Sequence, residues 1–148
     1  MTQDQIYMSM ALLQAEKALQ SGEVPVGAVL VGPRGLISAG HNLVESTNKV
    51  FAHAEIVVIE QACNLLHDKY LPDYTLYVTL EPCSLCMNAI LMSKIKRVCF
   101  AAKSPRWGFS VDPLNIFEVY RTSLILSENI FAKQAENLLQ NFFCLRRN

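Results

Sequence analysis

The chain has 148 residues, the size of one ordinary domain, and its formal net charge is zero. Apolar residues make up 51% and charged residues 18%, which excludes a disordered chain and predicts a well-filled core. The longest uncharged apolar run, about eight residues around Val24–Val31, is well short of the roughly 20 that a membrane span needs. The N-terminus lacks a secretory signal pattern. We therefore expect one globular domain over residues 1–148, with no membrane partner.

Charge is distributed unevenly along the chain. Residues 94–121 carry six basic and two acidic side chains, whereas residues 1–93 have a net charge of −5. The balanced total argues against binding of a polyanion over the whole surface, but the basic segment could contact phosphates locally. Ordinary solvated charges are the alternative explanation.

The first half of the chain predicts a helix, a hairpin and a second helix. A capping box at Thr2-x-x-Gln5 starts a helix near Asp4, and Ser21-Gly22 ends it. The following segments are a strand at Val24–Val31, a turn at Gly32–Gly35, a returning strand at Leu36–Ala39, a polar loop at 40–50 and an almost wholly apolar, buried helix at His53–Leu66.

The second half alternates strands and helices. It predicts a strand at Tyr74–Leu80, a buried helix opened by Pro82 and running to Met92, a strand at Arg97–Ala101, a long loop at 102–119, a strand at Leu124–Leu126 and a last amphipathic helix from Phe131 to Arg146. This alternation favours an α/β fold with helices on both faces of the sheet. We expect a three-layer α/β/α sandwich around a mixed sheet of about five strands.

Five cysteines, an odd number, make a disulfide framework improbable and favour a reduced, cytoplasmic protein. Cys63, Cys99 and Cys144 stand in apolar stretches and are predicted to be small core residues. Cys83 and Cys86 differ because they stand three residues apart at the start of a predicted helix, where their sulfurs share one side.

A metal site is predicted where two helices begin. His53 precedes one buried helix, and Cys83 and Cys86 open the next, at the same end of the sheet. Two thiolates and one imidazole suit zinc. No fourth protein ligand stands at motif spacing, so we expect water in the fourth position, as in catalytic rather than structural zinc sites.

Glu55, two residues after His53, is a candidate catalytic residue. Beside an activated water its carboxylate could take a proton and deliver it to a ring nitrogen and a leaving amine. The alternative is a helix-start glutamate stabilised by the helix dipole. The combination H-x-E and P-C-x-x-C is a signature of zinc nucleobase deaminases.

With these motifs the sequence resembles the cytidine deaminase-like superfamily, and more narrowly the bacterial tRNA-specific adenosine deaminases. The resemblance extends over nearly the whole chain and is carried by Glu23–Leu30, Ala52–Ile56, Thr75–Cys83 and the tail Phe142-Phe143…Arg146-Arg147. It implies that His53, Cys83 and Cys86 hold one zinc ion per subunit and that Glu55 shuttles protons. It also implies that Asn42 contacts the target base, although a turn residue is an equal reading of Asn42.

The resemblance further implies the reaction and the partners. The family converts the wobble adenosine of a tRNA anticodon loop to inosine and works as a homodimer, and loop bases can be splayed into a pocket at low cost. Lys94–Arg106 and Arg146-Arg147 would then contact phosphates. Deamination of a free base or nucleoside, and a zinc-stapled RNA-binding module without catalysis, are the alternatives.

Three segments depart from the family pattern. Leu43 follows Asn42 where arginine is common, Leu85 replaces a frequent methionine, and the loop Lys103–Phe109 lacks a small Gly-Ala run. In that loop Trp107 or Phe109 could stack on a base that flanks the target. The preferred alternative for Trp107 is that it covers the edge of the core.

Overall fold

The computed structural model describes residues 1–114 and 123–147, and a five-stranded sheet forms its centre. The elements are α1 (Gln3–Gln20), β1 (Gly27–Gly32), β2 (Gly35–His41), α2 (Val44–Thr47), α3 (Ala54–Leu66), β3 (Thr75–Leu80), α4 (Ser84–Met92), β4 (Arg97–Ala102), β5 (Ile125–Glu128) and α5 (Ala132–Arg147), with a 3-10 turn at Phe109–Val111.

The sheet is mixed and has the order β2-β1-β3-β4-β5. Strand β1 is antiparallel to both β2 and β3, whereas β3, β4 and β5 are parallel to one another. The end of β2, the start of β1 and the ends of β3 and β4 therefore lie at one edge of the sheet. Side chains that follow β3 and β2 meet at this edge.

Helices cover both faces of the sheet, which confirms the predicted three-layer sandwich. On one face, α3 and α4 contribute Val58, Ala62, Met87 and Ile90 to a cluster with the sheet. On the other face, α1 and α5 contribute Met8, Ala11 and Ala135. Gly27 allows α1 to lie close to β1, because a Cβ atom at this position would overlap the carbonyl of Ala11.

The first helix was predicted correctly in detail. The Thr2 side chain accepts a hydrogen bond from the Gln5 backbone at 3.2 Å, and the Gln5 side chain accepts one from the Thr2 backbone at 2.9 Å, so both halves of the capping box are present. Gly22 follows the helix with a φ of +78°, a backbone conformation that favours glycine.

Several predicted boundaries were wrong. Strand β1 begins at Gly27 rather than Val24, because the Val26 N–H donates to the Val24 carbonyl in a tight turn around Pro25. The polar loop at 40–50 contains the end of β2 and the short helix α2. Helix α4 starts at Ser84, two residues after Pro82.

Helix α3 is less buried than its composition predicted. Its buried side chains fall on one face, and Glu60 and Gln61 are exposed on the other. The predicted loop at 102–119 includes the 3-10 turn, and its residues 115–119 lie outside the described part of the chain. Within residues 1–114 and 123–147, no helix combines the length and apolarity that crossing a bilayer requires.

Candidate active site

Two helix starts bring three metal-ligand side chains together at the sheet edge. His53 is the N-cap residue of α3, Cys83 is the N-cap residue of α4, and Cys86 follows in the first turn of α4. Neither cap side chain forms a capping hydrogen bond to the backbone of its own helix. The His53 imidazole and the Cys83 sulfur can therefore interact with each other. The Leu43 N–H donates to the Ala52 carbonyl at 2.9 Å, which fixes the chain immediately before His53.

The three ligand atoms are spaced as a zinc ion requires. The Nδ1 of His53 lies 3.5 Å from the Sγ of Cys83 and 3.3 Å from the Sγ of Cys86. With ordinary Zn–S and Zn–N bonds, nitrogen and sulfur ligands of a tetrahedral zinc are about 3.5 Å apart. The set contains three residues, and no other cluster of this kind occurs among the described residues. The donor chemistry and the spacing fit one zinc ion with one further coordination position.

Hydrogen bonds couple the pKa values of Cys83, Cys86 and His53. A hydrogen bond from Cys86, assisted by one from His53, lowers the pKa of Cys83 to about 4 although partial burial opposes this. Cys86 is the protonated partner, and its pKa is raised by the Cys83 thiolate and by burial. The Cys83 thiolate in turn raises the pKa of His53. The site therefore stabilises a thiolate, the form of cysteine that binds metal.

Glu55 lies within this cluster. Its side chain is only 4% exposed, and its Oε2 accepts a hydrogen bond from the Sγ of Cys86 at 3.5 Å. Burial raises the pKa of the Glu55 carboxyl, so it binds a proton more readily than a solvated glutamate.

Comparison with known proteins decides the family. The cytidine and deoxycytidylate deaminase zinc-binding region matches residues 1–102. The tRNA-specific adenosine deaminase of Bacillus subtilis (strain 168) is 39% identical over 145 residues, which are 97% of this chain and 90% of that protein. That of Aquifex aeolicus (strain VF5) is 40% identical over 143 residues, 96% of this chain and 95% of that protein. This chain belongs to the tRNA-specific adenosine deaminase family.

A solved structure extends the similarity to three dimensions. A tRNA:A34 deaminase, studied for A-to-I editing at the wobble position, superposes with a TM-score of 0.86 and 34% sequence identity. The alignment covers 90% of this chain and 99% of that one. The deaminase fold expected from the motifs is thus confirmed, as is the zinc-dependent deaminase class.

Asn42 stabilises the loop after β2 through two hydrogen bonds. Its Oδ1 accepts the Val44 N–H at 3.1 Å, and its own N–H donates to the Val26 carbonyl at 3.0 Å. The turn role considered for Asn42 is therefore present. Because Oδ1 is used in the turn, the side-chain amide group is held in one orientation at the sheet edge that also carries His53.

Glu23 is a functional candidate that sequence reasoning missed. It is fully buried, and its two carboxylate oxygens accept the N–H groups of Glu45 at 2.7 Å and Ser46 at 2.9 Å. Burial alone would raise the pKa of Glu23, but these N–H donors outweigh it and hold the pKa below the ordinary value. Glu23 thereby fixes helix α2, which begins two residues after Asn42. The sequence signal was an acidic residue at the start of an apolar segment.

Glu81 has the corresponding role on the other side of the site. Its side chain is buried, and its Oε1 and Oε2 accept the N–H groups of Ser104 at 3.2 Å and Ser110 at 2.9 Å. Gly108 of the same loop forms an isolated β-bridge with Cys83. Glu81 therefore ties the loop at 103–111 to the segment that carries the first cysteine. Sequence reasoning did not identify Glu81 as a functional candidate. The available signal was an acidic residue between an apolar strand and Pro82.

Among residues 1–114 and 123–147, basic side chains of the segment that starts at Lys94 lie at both edges of the sheet. Lys94, Lys96 and Arg97 precede or begin β4, at the sheet edge opposite the zinc ligands, whereas Lys103 and Arg106 follow β4 on the same side as the ligands. Arg97 is also engaged in a two-pronged ion pair with Asp4, at 2.7 and 2.8 Å. Strand β4 separates the two ends of the segment Lys94–Arg106, and its contact with phosphates stays a prediction.

The C-terminal tail has a packing role. The Arg146 guanidinium lies 4.7 Å from the centre of the Phe142 ring and donates to the Gly22 carbonyl at 3.3 Å. The Arg147 side chain is outside the described part of the structure. Arg146 thus attaches α5 to the turn after α1.

The remaining cysteines differ in their surroundings. Cys99 is buried in the core as predicted, and Cys63 is partly buried. Cys144 is exposed, so its assignment to the core was wrong.

Proposed function

We propose that this deaminase converts the wobble adenosine of a tRNA anticodon loop to inosine by hydrolysis. The observation that carries the proposal is the convergence of His53, Cys83 and Cys86 on one point with the buried Glu55 carboxyl beside them. The substrate class is supported by membership in a family whose curated relatives are tRNA-specific adenosine deaminases.

We propose that the Nδ1 of His53 and the sulfurs of Cys83 and Cys86 hold one zinc ion per subunit. The chemistry that zinc supplies at a three-ligand site is activation of a water molecule as a nucleophile near neutral pH. The protein's own contribution is a preformed ligand set, since both caps are fixed by the starts of packed helices. Glu55 and Cys86 are buried, whereas His53 and Cys83 are partly exposed.

Glu55 moves the protons. The Glu55 carboxylate accepts a proton from the attacking water and passes it to the ring nitrogen next to the amine-bearing carbon. The water oxygen bonds to the amine-bearing carbon, and Glu55 carries the second proton of that oxygen to the exocyclic amine. The bond between this carbon and the amine then breaks, ammonia leaves, and the oxygen remains as the carbonyl of inosine. The products are inosine and ammonia, and Glu55 returns to its starting state. A carboxyl whose pKa is raised by burial suits both transfers, because it binds and releases protons closer to neutral pH.

Asn42 orients the target base in this proposal. Its Oδ1 is engaged by Val44, and among the described residues no acceptor is bonded to its Nδ2. The two Nδ2 protons are therefore available to a ring nitrogen or carbonyl acceptor on the base. The turn role and the base contact use different atoms of the same side chain.

Residues 1–148 are proposed to form a single zinc-dependent deaminase domain that acts as a homodimer in the cytoplasm. Both apolar clusters share one sheet, which supports a single domain. Exposed apolar side chains support a second copy as partner: Leu85 and Met92 of α4, and Phe51 in the loop before α3. Sedimentation analysis of the zinc-loaded protein would give a dimer mass, and a monomer at micromolar concentration would contradict this.

The decisive experiment compares wild type with Glu55→Gln on an unmodified tRNA that carries a wobble adenosine. Wild type should form inosine, and the variant should be slower by about three or more orders of magnitude while retaining zinc. A zinc-bound wild type that forms no inosine would contradict the proposal. Turnover of free bases or nucleosides alone would favour the small-substrate alternative, and equal activities of both proteins in every assay would favour a non-catalytic RNA-binding module.

A further inference from the structure

Trp107 is the single tryptophan of the chain, and it is 73% exposed. The expectation that it covers the edge of the core was therefore wrong. A large ring with an indole N–H is ordinarily mostly buried, so an exposed tryptophan beside a catalytic centre calls for a binding partner. Phe109, the other aromatic residue considered for this role, instead packs edge-on against the core residue Phe100, with ring centres 6.3 Å apart.

The backbone on both sides of Trp107 is fixed. The Trp107 N–H faces the Ser104 hydroxyl at 3.4 Å, and the Gly108 N–H donates to the Ser104 carbonyl at 3.0 Å. The Phe109 N–H donates to the Pro82 carbonyl at 2.9 Å. A well-anchored loop thus presents the indole ring to solvent, and only the Trp107 side chain, not its backbone, has to be ordered when a ligand binds.

The same loop is tied to the metal ligands. Gly108, the next residue, bridges to Cys83, and beyond the 3-10 turn the Asp112 carboxylate accepts a hydrogen bond from the Ser84 hydroxyl. Cys83 and Ser84 are the first residues of the cysteine motif. Trp107 is therefore one residue removed from a direct backbone connection to the proposed catalytic centre.

The charge around the ring favours a polyanionic ligand. Exposed Arg106 precedes Trp107, and Lys103 is exposed at the start of the loop. Lys103 makes a solvent-exposed ion pair with Glu128, at 3.7 Å. The segment 103–107 contains no acidic residue. A flat aromatic surface with neighbouring cations is the combination that binds unpaired bases of single-stranded nucleic acid.

We propose that Trp107 is a stacking platform for an unpaired RNA base adjacent to the deaminated nucleotide. The inference rests on the proposed function, because the substrate there is an anticodon loop whose bases are unpaired. Stacking is tolerant of base identity, so Trp107 supplies affinity for the loop and fixes its position relative to Glu55. The ring nitrogens and substituents of the target base are recognised by other residues of the site, among them Asn42.

Intrinsic fluorescence tests the proposal directly, because Trp107 is the single tryptophan and its emission reports on this ring alone. Zinc-loaded Glu55→Gln is titrated with an anticodon stem-loop RNA that carries the wobble adenosine. The expected result is saturable quenching whose dissociation constant equals that found by fluorescence anisotropy of labelled RNA. RNA binding without quenching would overturn the proposal. A blue shift that grows with protein concentration in the absence of RNA would also overturn it, in favour of a second protein copy covering the ring.

Kinetics provide an independent readout. Trp107→Ala should lower kcat/KM for the stem-loop about 5- to 100-fold, mainly through KM, and Trp107→Phe should restore most of the loss. Leu65→Ala, which removes an exposed apolar side chain near the far end of α3, is the matched control and should behave as wild type. An unchanged KM in Trp107→Ala would overturn the stacking role. Inosine formation without quenching refutes this inference alone, whereas absence of both refutes the proposed function with it.

Discussion

Gly108 packs directly against the carboxylate of Glu81, and a Cβ atom at Gly108 would overlap that carboxylate. The glycine is needed here for space, because its backbone also bridges to Cys83 while Glu81 binds the loop on either side of it. The glycine therefore contacts both a buried carboxylate and a proposed metal ligand. Disturbance of any of them should reach the zinc site.

Gly108→Ala should lower both stability and zinc affinity. The added methyl group displaces the Glu81 carboxylate or the loop, and overpacking of this kind costs about 1–3 kcal/mol of unfolding free energy. Urea unfolding and competition with a chromogenic zinc chelator measure the two effects. Ser110→Ala is the control, since Ser110 is exposed and bonds Glu81 through its backbone N–H. Wild-type zinc affinity in Gly108→Ala would contradict the coupling.

Glu23 should make stability dependent on pH. Its pKa is lower in the folded protein than in the unfolded chain, so its contribution is fully present above the ordinary value of 4.5. The contribution is lost as the pH falls through the folded pKa, below 4.5. Glu23→Gln should therefore be less stable than wild type at pH 7, by about 1–3 kcal/mol, with the difference shrinking towards pH 3. Unfolding in urea across this range gives the comparison.

A matched control for Glu23 is Glu45→Gln. Glu45 is exposed and contributes its backbone N–H to the Glu23 carboxylate, so removal of its side-chain charge should leave the pH profile of stability close to that of wild type. If the stabilities of wild type and Glu23→Gln changed in parallel with pH, the pKa of the Glu23 carboxyl would be the same in the folded and unfolded chains, which would contradict the prediction.

The order of elements and the ligand set could be predicted from the sequence, because both are local patterns. Alternating helices and strands determined the layers, and the spacing of Cys83 and Cys86 required them to share one side of a helix. The loop supports could not be predicted. Glu23 and Glu81 act on backbone N–H groups about 22 to 29 residues away in sequence, and backbone donors leave no trace in side-chain identity. Trp107 was misjudged because burial is the usual state of tryptophan.

The ion pair between Asp4 and Arg97 should stabilise the fold without affecting catalysis. It is two-pronged and partly buried, and Asp4 also accepts the Tyr77 hydroxyl at 2.7 Å, so it joins α1 to β3 and β4 at the edge opposite the zinc ligands. The Arg97 guanidinium holds the pKa of Asp4 below its ordinary value. Asp4→Asn should lose about 1–2 kcal/mol in thermal or urea unfolding, with kcat unchanged.

Lys103→Gln is the comparison for Asp4→Asn. Its ion pair with Glu128 is long and solvent-exposed, so stability should change by less than about 0.5 kcal/mol. If Asp4→Asn had an equally small effect, the α1 attachment would depend on apolar packing alone.

The two ends of the basic segment should differ in RNA binding. Arg106 lies in the loop at the zinc-site edge, whereas exposed Lys96 precedes β4 at the opposite edge. Arg106→Gln should reduce the slope of log affinity against log salt by about 0.7 for a single-stranded loop, the value for one lost phosphate contact. Lys96→Gln should leave the slope unchanged. Equal reductions would indicate that the RNA contacts both edges of the sheet.

Metal content provides the most direct check on the ligand set. Purified protein should contain about one zinc per chain, and Cys86→Ala should contain little, because two ligands that remain at the helix starts hold zinc far more weakly than three. Loss of the metal also removes its contribution to folding, so the melting temperature of Cys86→Ala should fall to that of chelator-treated wild type. Cys144→Ser, in which an exposed cysteine of α5 is replaced, should keep one zinc and the wild-type melting temperature. Full zinc occupancy in Cys86→Ala would mean that another side chain completes the site.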